Sequence, residues 1–176
     1  MELMQQVIPT IIQSIMEITT VSFENFSEND KYFIEETVKL TDLSPANKKK
    51  VSTIIGNPFN KKIISLGNNR MFETLPDQDC EDSEGKTIPY IMHAEEVAIL
   101  NYLKSTSIRK KHSMEDLTIY CSYAPCHNCA KLIAHIGITR VIYLEKHLHK
   151  FHVGRYSPAV FLHQMKINVI EVTELL

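Results

Sequence analysis

The stretch LTIYCSYAPCHNCAKLIAHIGITRVIYL, residues 117–144, carries the pattern that decides the fold. Its two ends, LTIYCS and TRVIYLE, are rich in β-branched and aromatic residues and predict strands. Between them CHNCAKLIAHI predicts a helix that Gly137 ends. The alternation of strands and helices predicts an α/β layered domain around a central sheet.

The segments on either side extend the same alternation. VSTIIG and KKIISLG, joined by the turn NPFN, predict two strands of a short hairpin. YFIEETVKL, introduced by Ser27, and HAEEVAILNYL, which starts at His93, predict helices before and after that hairpin. A last helix near 157–165 and a strand near 168–173 complete the domain. The polar run over residues 70–89 predicts a long loop of the kind that often has a function.

The composition favours a single globular domain. The chain has 176 residues, of which 44% are hydrophobic and 23% charged, enough to bury a core. The 19 Lys and Arg residues nearly balance the 21 Asp and Glu residues, and the formal charge of −2 disfavours a long nucleic acid as partner. Two of the four cysteines are spaced as a metal or redox pair, which indicates a reducing, cytoplasmic environment.

The first residues predict a helical extension, residues 1–25, ahead of the main domain, residues 26–176. Apolar side chains recur at helical spacing from Met4 to Ile18. No Lys or Arg precedes this part, and Gln, Glu and Pro interrupt it, so we expect neither a signal peptide nor a membrane span. We expect this helix to pack on the domain or on another subunit.

The residues that carry chemistry lie at two helix starts. Cys126 and Cys129 are three apart on one helix face, with about 5–6 Å between their Cβ atoms, so both can bind one zinc ion. The positive end of the helix dipole favours thiolates there. If His93 converges on this pair from its own helix start, one imidazole and two thiolates leave the fourth zinc position open for water.

Glu95, two residues after the histidine, gives this arrangement a use in catalysis. Zinc lowers the pKa of a bound water toward about 7. Glu95 could accept a proton from that water and deliver it to a ring nitrogen and then to a departing amine. These steps replace an exocyclic amine by a carbonyl oxygen and release ammonia.

Several of these segments together resemble one enzyme family. The H-x-E and P-C-x-x-C motifs are a known signature of zinc nucleobase deaminases. With the run HAEEVAILN, the hairpin IISLGNN and the stretch 117–144, the chain closely resembles the deoxycytidylate deaminase family of the cytidine deaminase-like superfamily. The resemblance implies a three-layer domain with a mixed, five-stranded sheet flanked by helices. It also implies Zn²⁺ as cofactor, conversion of dCMP to dUMP, and a homo-oligomer that acts on a small nucleotide.

The resemblance also implies roles for individual residues. The zinc ligands would be His93, Cys126 and Cys129, and Glu95 would be the proton shuttle. Asn69 would contact the nucleotide, although an Asn after Gly is also simply a good turn residue. Backbone groups around Ala124 would face the base.

The chain departs from the family where a phosphate would be recognised. It has Arg70 where similar enzymes commonly have Gly, Val97 where they often have Asn, and Phe72-Glu73-Thr74 in place of a Pro-Arg-Gly-like stretch. Arg70 could itself bind a 5′-phosphate, or it could be an ordinary exposed side chain. The acidic loop from Asp77 to Glu84 would repel a phosphate unless it faces away or binds a cation.

Other functions remain open at this point. The substrate could be another free base, nucleoside or nucleotide, such as guanine, cytosine or a modified deoxycytidylate. The chain could also be an inactive nucleotide-binding relative, or act on a base in RNA or single-stranded DNA, which its charge and its lack of Trp disfavour.

Four further features have competing interpretations. A closed structural zinc site would need a fourth ligand from Cys80, Cys121 or His127. A second metal could bind at His147, His149 and His152, although such residues in a polar loop are more often solvated. The run Lys48 to Lys50 is interpreted as a solvated surface, with a phosphate site as the less favoured alternative. Tyr123 is interpreted as either a base contact or a core residue.

Overall fold

The computed structural model describes residues 18–75, 79–105, 112–145 and 157–175. These residues form one mixed sheet with helices on both faces. The strands, in the order β1-β6-β5-β4-β2-β3 across the sheet, are β1 Thr19–Ser22, β2 Ser52–Asn57, β3 Lys62–Asn68, β4 Thr118–Tyr123, β5 Arg140–Glu145 and β6 Asn168–Thr173. The helices are α1 Glu28–Thr41, α2 Ala94–Lys104, α3 His127–Ile136 and α4 Pro158–Gln164. Two 3₁₀ turns, Phe23–Asn25 and Met114–Asp116, precede α1 and β4.

Two apolar clusters on opposite faces of the sheet make the fold three-layered. Alternate residues of each strand point to opposite faces, so neighbouring residues of β4 belong to different clusters. Tyr120 faces α1 and stacks on Phe33 at a centroid distance of 4.9 Å. Ile119 and Cys121 face the layer that contains α2, α3 and α4. The expected three-layer α/β domain is confirmed.

The sheet has six strands, and the expected number of five is wrong by one. Strand β1 pairs in parallel with β6 at the sheet edge, with Val21 opposite Val172. Sequence patterning placed this segment in a helical extension over residues 1–25, but four residues are too few to show a period. Residues 1–17 of that extension lie outside the described residues.

The two directions of pairing come from two kinds of connection. Strands β4, β5, β6 and β1 run parallel, and β4 is joined to β5 through α3. Strands β2 and β3 form the expected hairpin, and β2 pairs antiparallel with β4. Helix α3 ends as predicted at Gly137, whose φ of 86° lies in the left-handed region that glycine adopts without strain.

A polar network fastens α1 to the sheet. Ser27 caps α1 and accepts a hydrogen bond from the Asp30 amide at 3.1 Å. The buried Asp30 carboxylate accepts two bonds from Arg140, at 2.7 and 3.1 Å, and one from the Tyr120 hydroxyl at 2.6 Å. Burial by itself would raise the pKa of Asp30, but the hydrogen bonds from Arg140, Tyr120 and Ser27 outweigh it and lower that pKa. The charged form of Asp30 therefore contributes to the stability of the fold.

Close approach between α2 and β3 depends on Gly67. A Cβ atom at this position would lie 2.4 Å from the Ala94 carbonyl oxygen and 2.5 Å from the Ala98 amide nitrogen. Both neighbours are backbone atoms of α2, which cannot rotate away. The absence of a side chain at Gly67 therefore sets how closely the first turn of α2 lies against the sheet.

No helix in the described part of the chain combines the length and the apolar character needed to cross a membrane.

Candidate metal centre and its pocket

The two sequence motifs meet because each lies at the start of a helix. His93 and Cys126 have extended backbone conformations and are the N-cap residues of α2 and α3. The His93 amide donates a hydrogen bond of 2.8 Å to the Glu96 carboxylate, which fixes the first turn of α2. The hairpin and the parallel strands carry both helix starts to the same side of the sheet, so the imidazole and the thiols come together.

The geometry of the three side chains fits one zinc ion. His93 Nδ1 lies 3.5 Å from Cys126 Sγ and 3.5 Å from Cys129 Sγ. All three atoms lie within 4.8 Å of one another. Two ligands on a tetrahedral zinc, with Zn–S of about 2.3 Å and Zn–N of about 2.0–2.1 Å, would be about 3.6 Å apart. The imidazole and the two thiols are therefore already at ligand spacing.

Charge in this cluster is shared unequally between the two cysteines. Hydrogen bonds from Cys129 and His93 stabilise the Cys126 thiolate and lower its pKa to about 3. The same contact with Cys126 raises the pKa of His93 to about 9. Hydrogen bonding to Cys126 and burial raise the pKa of Cys129, because a second thiolate would lie beside the first. A divalent cation relieves this repulsion, and the donor set of two thiols and one imidazole is one that zinc prefers.

Glu95 is the only buried carboxylate of the first turn of α2. Its side chain is 3% exposed, and this burial raises its pKa to about 7. An acid held at that pKa can both accept and donate a proton near neutral pH. Glu96, the next residue, instead points back to cap the helix.

One pocket of about 300 Å³ contains the metal-binding and acidic groups. This volume lies at the lower end of the usual range for small-molecule sites. The lining residues are Lys49, Val51, Asn69, Glu81, Thr87, Ile91, His93, Ala94, Glu95, Tyr123, Ala124 and Cys126. The pocket is therefore built from both helix starts, the end of the hairpin and the two loops that flank it.

Most of the residues expected from the sequence lie at this pocket, but Arg70 does not. The pocket is lined by the predicted ligands His93 and Cys126 and by Glu95. It is also lined by Asn69 and Ala124, the residues expected to contact the substrate, and Cys129 is fully buried behind this lining. Arg70 lines a separate hollow on the outside of α2 and forms an ion pair of 2.7 Å with Glu73. The expectation that Arg70 binds the phosphate is not supported by this placement. Arg70 pairs with Met92 in an isolated antiparallel bridge. Successive side chains of extended backbone point in opposite directions, so Arg70 points away from the side that Asn69 faces.

The remaining cysteines do not complete a closed metal site. Cys80 packs against Ala46 and Met71, and Cys121 is buried in β4, where burial raises its pKa well above the ordinary value. Among the described residues, the only group of three or more potential ligands at metal-binding spacing is the one formed by His93, Cys126 and Cys129. The proposed histidine cluster at 147, 149 and 152 lies outside the described residues.

Lys49 and Glu81 line the pocket but were not identified from the sequence, because the Lys48 to Lys50 run was interpreted as a solvated surface and Glu81 as part of the acidic loop. The Lys49 ammonium pairs with Glu145 at 2.5 Å and lies 4.3 Å from the centroid of the Tyr123 ring. Glu81 accepts hydrogen bonds from the backbone of a loop more than thirty residues earlier. Contacts over such separations leave no periodic signal in the sequence. Tyr123, the candidate base contact next to the cysteine helix, does line the pocket.

Comparison with known proteins places this site in a recognised family. The family described as "Cytidine and deoxycytidylate deaminase zinc-binding region" matches residues 27–145. The deoxycytidylate deaminase of Homo sapiens is 27% identical over 139 residues, which cover 76% of this chain and 74% of the human protein. The deoxycytidylate deaminase of Enterobacteria phage T4 is 33% identical over 99 residues, or 56% of this chain and 47% of that protein.

A solved structure shares the fold. The dCMP deaminase of the cyanophage S-TIM5, crystallised with dCMP and dUMP, aligns with a TM-score of 0.68 at 23% identity. The alignment covers 84% of this chain and 98% of the phage protein. This similarity supports the three-layer fold, and the zinc-binding character of the pocket rests on the family match.

Proposed function

Because the chain belongs to the cytidine and deoxycytidylate deaminase family, we propose that it is a zinc-dependent hydrolase that converts dCMP to dUMP and ammonia. The observation that carries this proposal is the buried Glu95 carboxylate, which lines the same pocket as His93 and Cys126. A purely structural zinc site would not need a proton-transfer group of this kind beside it.

Zinc bound by His93, Cys126 and Cys129 would supply a Lewis acid that makes water nucleophilic at neutral pH. The other work falls to Glu95. Its carboxylate accepts a proton from the attacking water and gives it to the ring nitrogen next to the carbon under attack. Glu95 then delivers the second water proton to the leaving amine, so that one water is consumed and one ammonia is released. Burial of Glu95 keeps bulk water from competing for these protons.

Asn69, one of the residues expected to contact the substrate, keeps a hydrogen-bond donor for it. The Asn69 Oδ1 accepts hydrogen bonds from Ser44 Oγ at 2.6 Å and from the Val51 amide at 2.8 Å, and Nδ2 donates to the Lys49 carbonyl at 2.9 Å. A carboxamide has two N–H donors, so its second one remains for a sugar hydroxyl.

Ala124 contributes through its backbone. Its amide is already bonded to the Glu145 carbonyl at 2.7 Å. The Ala124 carbonyl is the polar group that remains, and it would accept a hydrogen bond from the exocyclic amine of the base. Together with Asn69, this contact would orient the base and the sugar toward Glu95.

The proposal is tested by measuring ammonia released from a substrate panel. Zinc-loaded protein is incubated with dCMP, deoxycytidine, cytosine, guanine and a modified deoxycytidylate. We expect turnover of dCMP, loss of turnover after chelation, and recovery on adding zinc but not magnesium. Recovery by zinc separates loss of metal from denaturation. If the protein binds nucleotide but releases ammonia from none of these compounds, it is an inactive relative and the proposal is wrong.

We also propose that the protein occupies a reducing compartment, in agreement with the expected cytoplasmic location. None of the four cysteines forms a disulfide. We further propose that the protein associates with itself. Large apolar side chains are exposed on two neighbouring helices, namely Leu100 and Leu103 on α2 and Leu132 on α3. A second copy of the chain would cover them. Sedimentation of the purified protein tests the oligomer.

A further inference from the structure

Glu81 forms an unusual contact at the rim of the pocket. Its two carboxylate oxygens accept hydrogen bonds from two consecutive backbone amides, Asn47 at 3.1 Å and Lys48 at 3.0 Å. Two adjacent amides that point at one anion are a common way for backbone to bind a carboxylate or a phosphate. The loop before β2 therefore holds an anion-binding pair of amides, and a side chain of the same protein fills it.

A small turn brings Glu81 to these amides. Residue Glu81 pairs with Thr87 in an isolated antiparallel bridge, and the Asp82 amide donates to the Lys86 carbonyl at 2.9 Å. The tip of this turn is exposed and passes through Gly85, whose φ of 72° is left-handed. Glu81 thus belongs to a surface turn and not to the sheet or helices that build the rest of the pocket.

The charges of the pocket leave few places for a phosphate. Among the lining residues in the described part of the chain, Lys49 is the only Lys or Arg, and its ammonium is already paired with Glu145. Glu81 and Glu95 also line the pocket, so a phosphate that entered beside both would meet like charge. The amides of Asn47 and Lys48 could hold the phosphate, but only after the Glu81 carboxylate has left them.

We propose that Glu81 occupies the phosphate position of this pocket, and that a nucleotide binds by displacing the Glu81 carboxylate from the Asn47 and Lys48 amides. This inference rests on the proposed nucleotide substrate. A nucleoside, which has no phosphate, binds with Glu81 in place. Glu81 therefore sets the preference of the enzyme between nucleotide and nucleoside, and removing its charge favours the nucleotide.

The test compares Glu81→Ala and Glu81→Gln with a matched control, Glu84→Ala. Glu84 lies on the same turn but pairs with Lys86 at 2.6 Å in solvent and does not line the pocket. In zinc-loaded full-length protein we expect Glu81→Ala to lower KM for dCMP about tenfold, because two charge-assisted hydrogen bonds no longer compete with the phosphate. KM for deoxycytidine should stay unchanged, Glu81→Gln should lie between, and Glu84→Ala should match the wild type.

A second measurement does not depend on turnover. Inorganic phosphate is titrated into ¹⁵N-labelled, zinc-loaded protein, and the amide signals of Asn47 and Lys48 are followed. We expect both signals to shift, with tighter phosphate binding in Glu81→Ala than in the wild type or Glu84→Ala. If this holds while no cytosine compound is deaminated, the proposed function fails and the phosphate position stands.

The opposite results would overturn the inference while the proposed function stands. If Glu81→Ala raises KM for dCMP, or changes KM for dCMP and deoxycytidine equally, Glu81 only clamps the turn onto the loop before β2. Phosphate that fails to shift the Asn47 and Lys48 amides in Glu81→Ala would also overturn it. Zinc content and unfolding temperature, measured for each variant, confirm that the compared proteins are folded and loaded.

Discussion

The substitution Gly67→Ala should disable the metal centre from a position that touches neither metal nor substrate. The added Cβ would meet the Ala94 carbonyl oxygen at 2.4 Å and the Ala98 amide nitrogen at 2.5 Å. Ordinary contacts of a Cβ atom begin near 3.4 Å. Helix α2 must therefore move away from β3 by about 1 Å at its first turn, and His93 and Glu95 move with it.

Two effects of different size follow from this displacement. Overpacking of a close backbone contact costs about 1–3 kcal/mol of folding free energy. A misplacement of about 1 Å in a catalytic group lowers the rate about 100-fold. We expect Gly67→Ala to remain folded at moderate temperature, to bind zinc more weakly and to lose most of its kcat.

Gly56→Ala is the matched control, because it introduces a similar clash on the other face of the sheet. Its Cβ would lie 2.5 Å from the ring of Phe33, a buried residue of α1 that is remote from the pocket. Both variants should show a similar loss of stability in denaturant titrations. Only Gly67→Ala should lose zinc affinity, measured against a competing chelator, and kcat, measured as ammonia released from dCMP.

The reasoning would be refuted if Gly67→Ala kept the zinc affinity and kcat of the wild type. That result would mean that α2 can shift without carrying His93 and Glu95 out of place. Equal losses of kcat in Gly56→Ala and Gly67→Ala would refute it differently, because activity would then follow global stability and not the position of α2.

Two further predictions concern single carboxylates. Glu95→Gln should keep its zinc content but lower kcat by about 10²–10⁴-fold, because proton transfer is lost while the ligands remain; ammonia release and metal analysis check this, and an active variant would contradict it. The folded-state pKa of Asp30 is lowered, so its stabilisation is complete above the unfolded pKa near 3.8 and is lost as pH falls below it. The difference in unfolding temperature between wild type and Asp30→Asn should therefore be constant from pH 7 to 5 and shrink below about pH 4; a difference as large at pH 3 as at pH 7 would contradict this.

Most elements of the fold could be predicted because their signals are local. The Ser27 cap, the hairpin turn and the left-handed Gly137 each act within a few residues, and each marks an element end that the structure confirms. Strand β1 was not predicted because its short sequence shows no strand pattern. It is extended because it pairs with β6, about 150 residues later in the chain.

The metal-binding part of the site was predictable for a related reason. Each motif is short, and a helix start places its own residues, so the spacing of Cys126 and Cys129 already implies a shared ligand geometry. Only the meeting of His93 with the cysteine pair is non-local. The sheet supplies it by carrying both helix starts to one side.

The groups that would hold the phosphate could not be predicted in this way. Arg70 looked suited to a phosphate because it follows Asn69, yet neighbouring residues of an extended chain point in opposite directions, and its guanidinium pairs with Glu73 away from the pocket. Glu81 was counted only as part of an acidic loop. Glu81 is important because it accepts hydrogen bonds from two backbone amides. Every residue except proline has such an amide, so no sequence pattern marks these two. In this protein the catalytic chemistry is therefore encoded locally at helix starts, whereas substrate preference depends on contacts between loops that only the folded structure brings together.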